Sequence, residues 1–475
     1  MGWFDRFRGN RPTPTGNFAI RESSLGMLLR GTLLRTLVAS PDARRTAYVV
    51  RTDARWFVVV DGRPSPKEYD LPIPFDLPMP FADISPDKQD KILNVLNENF
   101  EVQDEFVSRV FGKPVFSPDS RRLAYVAYRN APQEIFRHLP PFRVPVKHFL
   151  VVDGSEGEEY DRIVHGSVVF SPDSSRIACA AERHGKFRVV VDGREGRQFD
   201  DNYNPVFSPD GRHVAHVGGT VGSRSAVVDD EIISGKYPDV GGGTGVVFSP
   251  DGRRLAFAAV MAPDKELIVI DGKEEPAYTN VGKLYFSPDS RRVVYTAWRG
   301  KQAFAVVDGV PQKTYDMIGY PTQPFSPDSR RLTYLAARGS KKMVVVDGKE
   351  EGSYEEVPWL WFSPDSRRVA YRARRGGKEF AVVDGREGAH YDMVFAPTFS
   401  PDSRRVAHFA ERAGRTFVVV DGLEGRDKEY SFCVCQAVFD GPNRFHTVAA
   451  RADNRGTELL QVEVELPETP SASLM

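Results

Sequence analysis

Short apolar runs alternate with polar turns along most of the chain. Runs of three to six residues that are rich in β-branched side chains are typical of strands. The spacers contain the Pro, Asp, Ser and Gly residues that form tight turns. In the unit 166–203, these patterns predict four strands at 168–170, 176–181, 187–191 and 197–200. The connections are too short for a crossover helix, so the unit is predicted to be an antiparallel meander.

The same two phrases recur at almost every unit. The first phrase has a Ser-Pro-Asp core and, from Ser171 onward, recurs every 37 to 41 residues. The second phrase is Val-Val-Asp-Gly or a close variant. A fixed period of this size indicates a repeat architecture, and a repeated four-stranded sheet is a β-propeller blade. The first phrase, with its Ser-Pro-Asp core, begins nine times, at Ser40, Ser117, Ser171, Ser208, Ser249, Ser287, Ser326, Ser363 and Ser400.

One position of the second strand is apolar or aromatic in nearly every copy. Because a blade buries its faces only against its neighbours, this slot is predicted to lie in the core between blades. A tenth, degraded copy spans 439–464 and lacks a fourth strand, which the segment 18–35 could supply. The slot holds Tyr48, Tyr125, Cys179, His216, Phe257, Tyr295, Tyr334, Tyr371 and His408.

The phrase Phe-Ser-Pro-Asp-Gly/Ser-Arg-Arg-Leu-Ala-Tyr resembles the TolB-type, WD-repeat-like propeller repeat over about nine-tenths of the chain. The resemblance implies the repeat and its fold. The second domain of TolB proteins, which are periplasmic partner-binding proteins, is not evident, so their biology is not carried over. No unit ends in the Trp-Asp dipeptide of true WD repeats.

The predicted fold is all-β: a β-propeller of about nine to ten four-stranded blades, in one large ring or two smaller rings, with a small helical insertion. The predicted parts are a leader with a possible ring-closing strand at 1–35, the repeats at 36–466, insertions at 71–112 and 129–147, and a disordered tail at 467–475.

The two insertions interrupt the otherwise minimal repeat. The first, Pro-rich at its start, is predicted to be helical between residues 86 and 111, with a degenerate blade as the rival interpretation. Blade topology predicts that both insertions emerge on one face, where a binding site or a simple lid would lie. The predicted partner-binding residues are Phe81, Phe136, His138, Phe142 and Arg143.

Composition and motifs restrict the ligands and cofactors that the chain is expected to bind. The net charge of −1 gives no strong attraction to nucleic acid. The Arg pairs are interpreted as part of a charge-balanced lattice, with phosphate binding as the alternative. Three cysteines form no disulfide framework, and we expect no metal or cofactor site. No signal segment or transmembrane span is apparent, which favours the cytoplasm; the oligomeric state is left open.

The leading hypothesis is a non-catalytic propeller, with no catalytic residues, that binds a protein or peptide on the face bearing the insertions. The alternative is an enzyme or small-ligand binder that uses the central channel. Fold alone does not separate them.

Overall fold

The computed structural model describes residues 18–29, 32–52, 55–70, 113–130, 146–201, 204–235, 237–241, 245–453 and 456–467. Within these residues every regular element is a β-strand, and the strands form ten small antiparallel sheets. The prediction of an all-β propeller with four-stranded blades is confirmed. The helix predicted between residues 86 and 111 lies outside the described residues. No helix in the described part is long and apolar enough to cross a membrane.

The chain contains two compact units. The unit Gly26–Thr314 carries sheets 1 to 6. The first strand in the described residues is β1 (Ala19–Met27), which belongs to the last sheet. Sheet 1 contains β2 (Thr32–Ala39), β3 (Thr46–Arg51), β4 (Arg55–Val60), β5 (Arg63–Pro64) and β6 (Tyr69–Asp70); sheet 2 contains β7 (Val115–Phe116), β8 (Leu123–Asn130), β9 (Val146–Val152) and β10 (Ser155–Tyr160). Sheet 3 contains β11 (Arg162–Ile163), β12 (Val169–Phe170), β13 (Ile177–Arg183), β14 (Lys186–Val191) and β15 (Arg194–Glu195); sheet 4 contains β16 (Val206–Phe207), β17 (Val214–Gly218), β18 (Ser225–Val228) and β19 (Glu231–Ile232). Sheet 5 contains β20 (Asp239–Val240), β21 (Val246–Phe248), β22 (Leu255–Ala262), β23 (Lys265–Ile270) and β24 (Lys273–Glu274); sheet 6 contains β25 (Asn280–Phe286), β26 (Val293–Arg299), β27 (Gln302–Val307) and β28 (Val310–Tyr315).

The unit formed by Met1–Leu25 and Tyr315–Met475 carries sheets 7 to 10. Sheet 7 contains β29 (Met317–Gly319), β30 (Thr333–Arg338), β31 (Lys341–Val346) and β32 (Lys349–Tyr354); sheet 8 contains β33 (Glu356–Phe362), β34 (Val369–Arg375), β35 (Lys378–Val383) and β36 (Arg386–Glu387). Sheet 9 contains β37 (Met393–Val394), β38 (Thr398–Phe399), β39 (Val406–Arg412), β40 (Arg415–Val420) and β41 (Leu423–Tyr430); sheet 10 contains β42 (Phe432–Cys433), β43 (Val438–Gly441), β44 (Arg444–Asp453), β45 (Gly456–Glu465) and β1.

Sheet 3 shows how tight turns set the strand ends. The loop between β13 and β14 is only His184-Gly185, at φ angles of 55° and 71°, as a type I′ turn requires. Pairing therefore continues to Arg183 and Lys186, beyond the predicted strand ends at 181 and 187. The fourth strand starts at Arg194, earlier than the predicted 197–200, because the preceding turn is also tight. Phe199 joins the sheet through a single bridge.

The strands of each sheet reverse direction at its two ends. We call the end with the Ser-Pro-Asp and Asp-Gly turns the turn edge. The opposite edge, with the loop between second and third strands, is the loop edge; in sheet 3 it holds His184-Gly185.

The aromatic slot lies in the core, as predicted. None of its nine residues is more than 6% exposed. Five of the slot residues contact an aromatic ring from the end of the preceding sheet, a partner that the sequence pattern did not identify. The pairs with their centroid distances are Tyr69–Tyr125 (6.0 Å), Phe199–His216 (5.7 Å), Tyr237–Phe257 (5.8 Å), Tyr354–Tyr371 (5.8 Å) and Tyr391–His408 (6.3 Å).

The second arginine of most Arg pairs joins consecutive sheets. Arg45 donates through Nε to Asp61 of its own sheet, at 3.0 Å. Its terminal nitrogen donates to the carbonyl oxygens of Ser120 and Arg121 in sheet 2, at 3.2 and 3.0 Å. The guanidinium also lies 5.3 Å from the ring centroid of Phe116. The lattice interpretation of these arginines is therefore confirmed, and we call this arrangement the arginine staple.

Sheet 4 departs from this arrangement. His213 replaces the stapling arginine and bonds only the carboxylate of its own sheet, Asp229. Gly211 and Gly252 occupy the turn position where six other copies have a serine; Ser174, for example, accepts a hydrogen bond from Asp119 of the neighbouring sheet. A different pair joins sheets 4 and 5: Arg224 donates from two nitrogens to Asp239, at 3.0 and 2.7 Å, and both side chains are at most 10% exposed.

Strand β1 supplies the fourth strand that sheet 10 lacks. It pairs with β45 at the outer edge of that sheet. Glu22 of β1 accepts hydrogen bonds from Arg451 and Lys428. In sheet 9 the fourth-strand residue Glu424 makes the equivalent contact with Arg412, so β1 reproduces a regular blade.

Replacement of Tyr371 by Ala is expected to lower the free energy of unfolding by roughly 3–5 kcal/mol. Tyr371 is 0% exposed, and its hydroxyl lies 3.0 Å from that of Tyr354. Urea denaturation measures the change. Val310→Ala is the control, because Val310 is 59% exposed. Equal losses for the two variants would contradict the slot's role.

Replacement of Arg224 by Ala is expected to lower the free energy of unfolding by roughly 3–5 kcal/mol, because it leaves the buried carboxylate of Asp239 without its cation. Arg212→Ala is the matched control on the same sheet, since the side chain of Arg212 is 82% exposed. Thermal and urea unfolding of both variants provide the comparison. A loss below about 1 kcal/mol for Arg224→Ala, the range of exposed ion pairs, would show that this contact does not hold sheets 4 and 5 together.

Candidate partner-binding edge of sheets 1 and 2

The residues predicted to bind a partner, Phe81, Phe136, His138, Phe142 and Arg143, lie outside the described residues. The structure does describe the strands from which the two insertions leave. These strands belong to sheets 1 and 2, within the unit Gly26–Thr314.

Both insertions leave from the loop edge. In sheet 1, Asp70 pairs with Arg55 at the start of β4, so the chain enters the first insertion at the loop edge. In sheet 2, β8 and β9 remain paired up to Asn130 and Val146, which are directly opposite each other. The second insertion therefore replaces the short loop between β8 and β9. The two segments depart from the same edge of neighbouring sheets.

A cluster of aromatic rings forms the base of this edge. Trp56 is fully buried, with ring centroids 5.1 Å from Tyr69 and 6.2 Å from Tyr128. Tyr69 also contacts Phe149 at 5.8 Å, and its hydroxyl lies 3.3 Å from that of Tyr125. Most of these rings meet edge to face, a geometry that adds to the stabilisation from burial. The insertions thus emerge from a closely packed base.

Ion pairs surround this base. Arg129, the last residue but one of β8, bonds Glu156 at 3.0 Å and also bonds Glu159. Its guanidinium lies 4.8 Å from the ring centroid of Phe149. Lys67, in the segment between β5 and β6, bonds Glu156 at 3.2 Å and so connects sheet 1 to sheet 2. These contacts fix the ends of β8 and β10 beside the second insertion.

His148 of β9 is a buried neutral base within this edge. Its ring centroid is 4.6 Å from that of Tyr128, and its Nδ1 accepts the backbone N–H of Ile163 at 3.2 Å. Burial, together with the nearby positive charge of Arg162, lowers the pKa of His148 to about 4. The histidine is thus uncharged at neutral pH, and its protonation would remove the acceptor for Ile163.

The three cysteines of the sequence are held as thiols by their surroundings. Burial raises the pKa of the Cys179 thiol to about 12 and raises those of Cys433 and Cys435, which keeps all three protonated. Cys435 lies 3.5 Å from the hydroxyl of Thr447. Across the residues that the structure describes, no group of three His, Cys, Asp or Glu side chains has a metal-binding arrangement.

Comparison with known proteins gives no family assignment. No family model matches the chain, and no curated protein matches it. Solved structures with similarity include a eukaryotic initiation factor (12% identity, 65% of this chain and 88% of that chain, TM-score 0.41) and the β-propeller domain of the Trilobed protease from Pyrococcus furiosus (12%, 67% and 96%, 0.29). A periplasmic gluconolactonase from Pseudomonas aeruginosa, PpgL, is 17% identical over 52% of this chain and 90% of its own, with a TM-score of 0.31. The fold assignment therefore rests on the strand order of this chain.

Acid is expected to destabilise the protein between pH 6.5 and 4. Burial also lowers the pKa of His216 and His408 to about 4, whereas histidine in an unfolded chain titrates near 6.5. In this window the unfolded chain binds protons that the folded protein does not, so the free energy of unfolding falls with pH. Hydrogen bonds from Ser171 and Ser175 hold the pKa of Asp173 at about 2, so this carboxylate titrates only below the histidine window.

His408→Phe tests this expectation, because sheet 5 has Phe257 in the same slot. Between pH 7 and 4.5, the free energy of unfolding should fall by about 2–3 kcal/mol less for the variant than for the original protein. His165→Gln, on the surface, is the control. Parallel pH profiles for the original protein and His408→Phe would contradict the account.

Proposed function

We propose that this chain is a non-catalytic propeller scaffold that binds a protein or peptide through the loop edge of sheets 1 and 2. The observation that carries the proposal is that both long departures from the repeat leave from this one edge. The proposed contact residues are Phe81, Phe136, His138, Phe142 and Arg143.

The contrast between loops supports this proposal. The loop between second and third strands in sheet 3 is the pair His184-Gly185, whereas sheet 2 has residues 131–145 at the same place. Extended loops on a rigid scaffold commonly carry binding sites. Pro132, Pro140, Pro141 and Pro145 restrict the backbone of this segment, which reduces the entropy lost on binding.

Its side-chain chemistry is also that of an interface. Aromatic residues and arginine are enriched at protein interfaces because they combine a large contact area with polar groups. Phe136, Phe142 and Arg143 provide this combination within a short stretch. The turn edge presents nearly the same Arg and Asp residues in each copy, and their mutual ion pairs leave little to distinguish one partner from another.

Replacement of residues 131–145 by the dipeptide His-Gly is expected to abolish partner binding and leave the sheets intact. Asn130 and Val146 are directly paired, and sheet 3 closes the equivalent pair, Arg183 and Lys186, with His184-Gly185. Proteins retained by the tagged chain in source-cell extract are identified, and the affinity of each purified partner is measured for both forms.

The matched control exchanges His184-Gly185 for Asn-Gly, which also favours a type I′ turn. A partner that binds the control and the original chain but loses at least tenfold in affinity for the His-Gly replacement supports the proposal. Cooperative unfolding of the replacement with unchanged affinity for every partner would refute it.

A further inference from the structure

An arginine near the end of the second strand recurs at the loop edge of most sheets. Outside sheet 6, it bonds a glutamate of the fourth strand of its own sheet. Arg412, for example, bonds Glu424 at 2.9 Å, and its guanidinium lies 4.9 Å from the ring centroid of Tyr391 in the preceding sheet. The cation is thus neutralised within its own sheet. The pairs are Arg129–Glu156, Arg183–Glu195, Arg338–Glu350, Arg375–Glu387, Arg412–Glu424 and Arg451–Glu22.

Sheet 6 keeps the arginine and loses the glutamate. Arg299 lies 5.6 Å from the ring centroid of Tyr278 in sheet 5, so its guanidinium has the same placement as its counterparts. Pro311 stands where the glutamate would be, at the same position after the Asp-Gly turn as Glu350 in sheet 7. Arg299 is exposed, and among the described residues no ion pair or hydrogen bond engages its guanidinium. Sheet 6 therefore presents an unneutralised guanidinium at its loop edge.

The surroundings of this guanidinium add positive charge. Lys301 is exposed in the two-residue turn between β26 and β27, and within the described part of the chain it has no ion pair. The carboxylates of Glu266 and Asp316 already accept backbone N–H groups, at 3.0 and 2.7 Å. Glu275 lies toward the turn edge, where its Oε2 would be 3.4 Å from a Cβ added to Gly309. The tip of this hairpin is therefore complementary to an anion.

The same hairpin carries a fixed aromatic ring. Trp298 is partly exposed, and a Cβ added to Gly282 would lie 3.0 Å from its ring, so the ring packs directly on the backbone of β25. The turn is held in place because the hydroxyl of Thr279 accepts the N–H of Gly300 at 3.1 Å. Tryptophan and arginine are enriched among the residues that dominate binding energy at interfaces. A fixed turn also reduces the entropy lost on binding.

We propose that the loop edge of sheet 6 binds an acidic segment of a protein partner. One carboxylate of the segment pairs with the exposed guanidinium of Arg299, a second pairs with Lys301, and an apolar side chain packs on Trp298. A guanidinium bonds both oxygens of a carboxylate, which favours acidic side chains over neutral ones. The insertions of sheets 1 and 2 take no part in this site.

Three peptides of equal length test the charge requirement: acetyl-Glu-Glu-Phe-Glu-Glu-amide and the versions with Gln or Lys in place of each Glu. Titration calorimetry with the full chain at low ionic strength is expected to show saturable binding of the Glu peptide, at least tenfold weaker binding of the Gln peptide, and none of the Lys peptide. Pentathymidylate separates an acidic-peptide site from a nucleic-acid site. Equal binding of the Glu and Gln peptides, no binding of the Glu peptide, or tighter binding of the oligonucleotide would overturn the proposal.

Variants locate the site. Arg299→Gln and Lys301→Gln should each weaken binding of the Glu peptide at least fivefold. The matched control is Arg415→Gln at the loop edge of sheet 9, because the side chain of Arg415 is 70% exposed but already pairs with Glu429. The control should bind the peptide as the original chain does, and thermal unfolding checks that all three variants remain folded. Unchanged binding in the first two variants, or an equal loss in the control, would refute the assignment.

Pro311→Glu is the most specific variant. The new carboxylate should pair with Arg299, as Glu350 pairs with Arg338 at 3.0 Å, and weaken binding of the Glu peptide at least fivefold. Pro311→Gln, which has the same length without a charge, should weaken it much less. Equal effects of Glu and Gln would contradict competition for the guanidinium and overturn the proposal. Because this site is separate from the insertions, its failure leaves the partner-binding proposal intact, and the converse also holds.

Discussion

The arginine staple is the contact on which the regularity of the structure depends. One guanidinium bonds the Asp of its own sheet and two carbonyl oxygens of the next, and it lies over that sheet's Phe. The stapling side chains are about a third exposed, for example 33% for Arg176, so the ion pair alone contributes little. Its main effect is geometric. It fixes the distance between consecutive sheets at the turn edge, and the buried aromatic slots behind it pack at that distance.

Because the arginine staple recurs in most sheets, the places where a sheet departs from it stand out as candidate sites. Sheet 4 has lost the arginine and the turn serines on both sides, and the buried pair of Arg224 and Asp239 joins it to sheet 5 instead. The same sheet places Asp230 where other copies have glycine. At the opposite edge, the departures are the two insertions of sheets 1 and 2. Repetition supplies stability, whereas the exceptions supply candidate sites.

The sequence predicted the repeat, the strand types and the buried slot, because turn residues and β-branched runs are local signals. Strand ends were less accurate: the fourth strand of sheet 3 begins at Arg194, since the two-residue turn before it starts pairing at once. The contact of Arg224 with Asp239 was not predicted, because it joins different sheets and neither residue belongs to a repeated phrase.

The central claim is that a partner binds the loop edge of sheets 1 and 2. Site-specific photo-crosslinking tests it most directly, with the crosslinking residue placed at Arg129 on this edge or at Arg212 on the turn edge. Their side chains are 51% and 82% exposed, so both positions are accessible to a partner. The account predicts that a protein retained by the chain crosslinks at Arg129 and not at Arg212. Crosslinking of that protein at Arg212 alone would place the binding surface on the turn edge and contradict the claim.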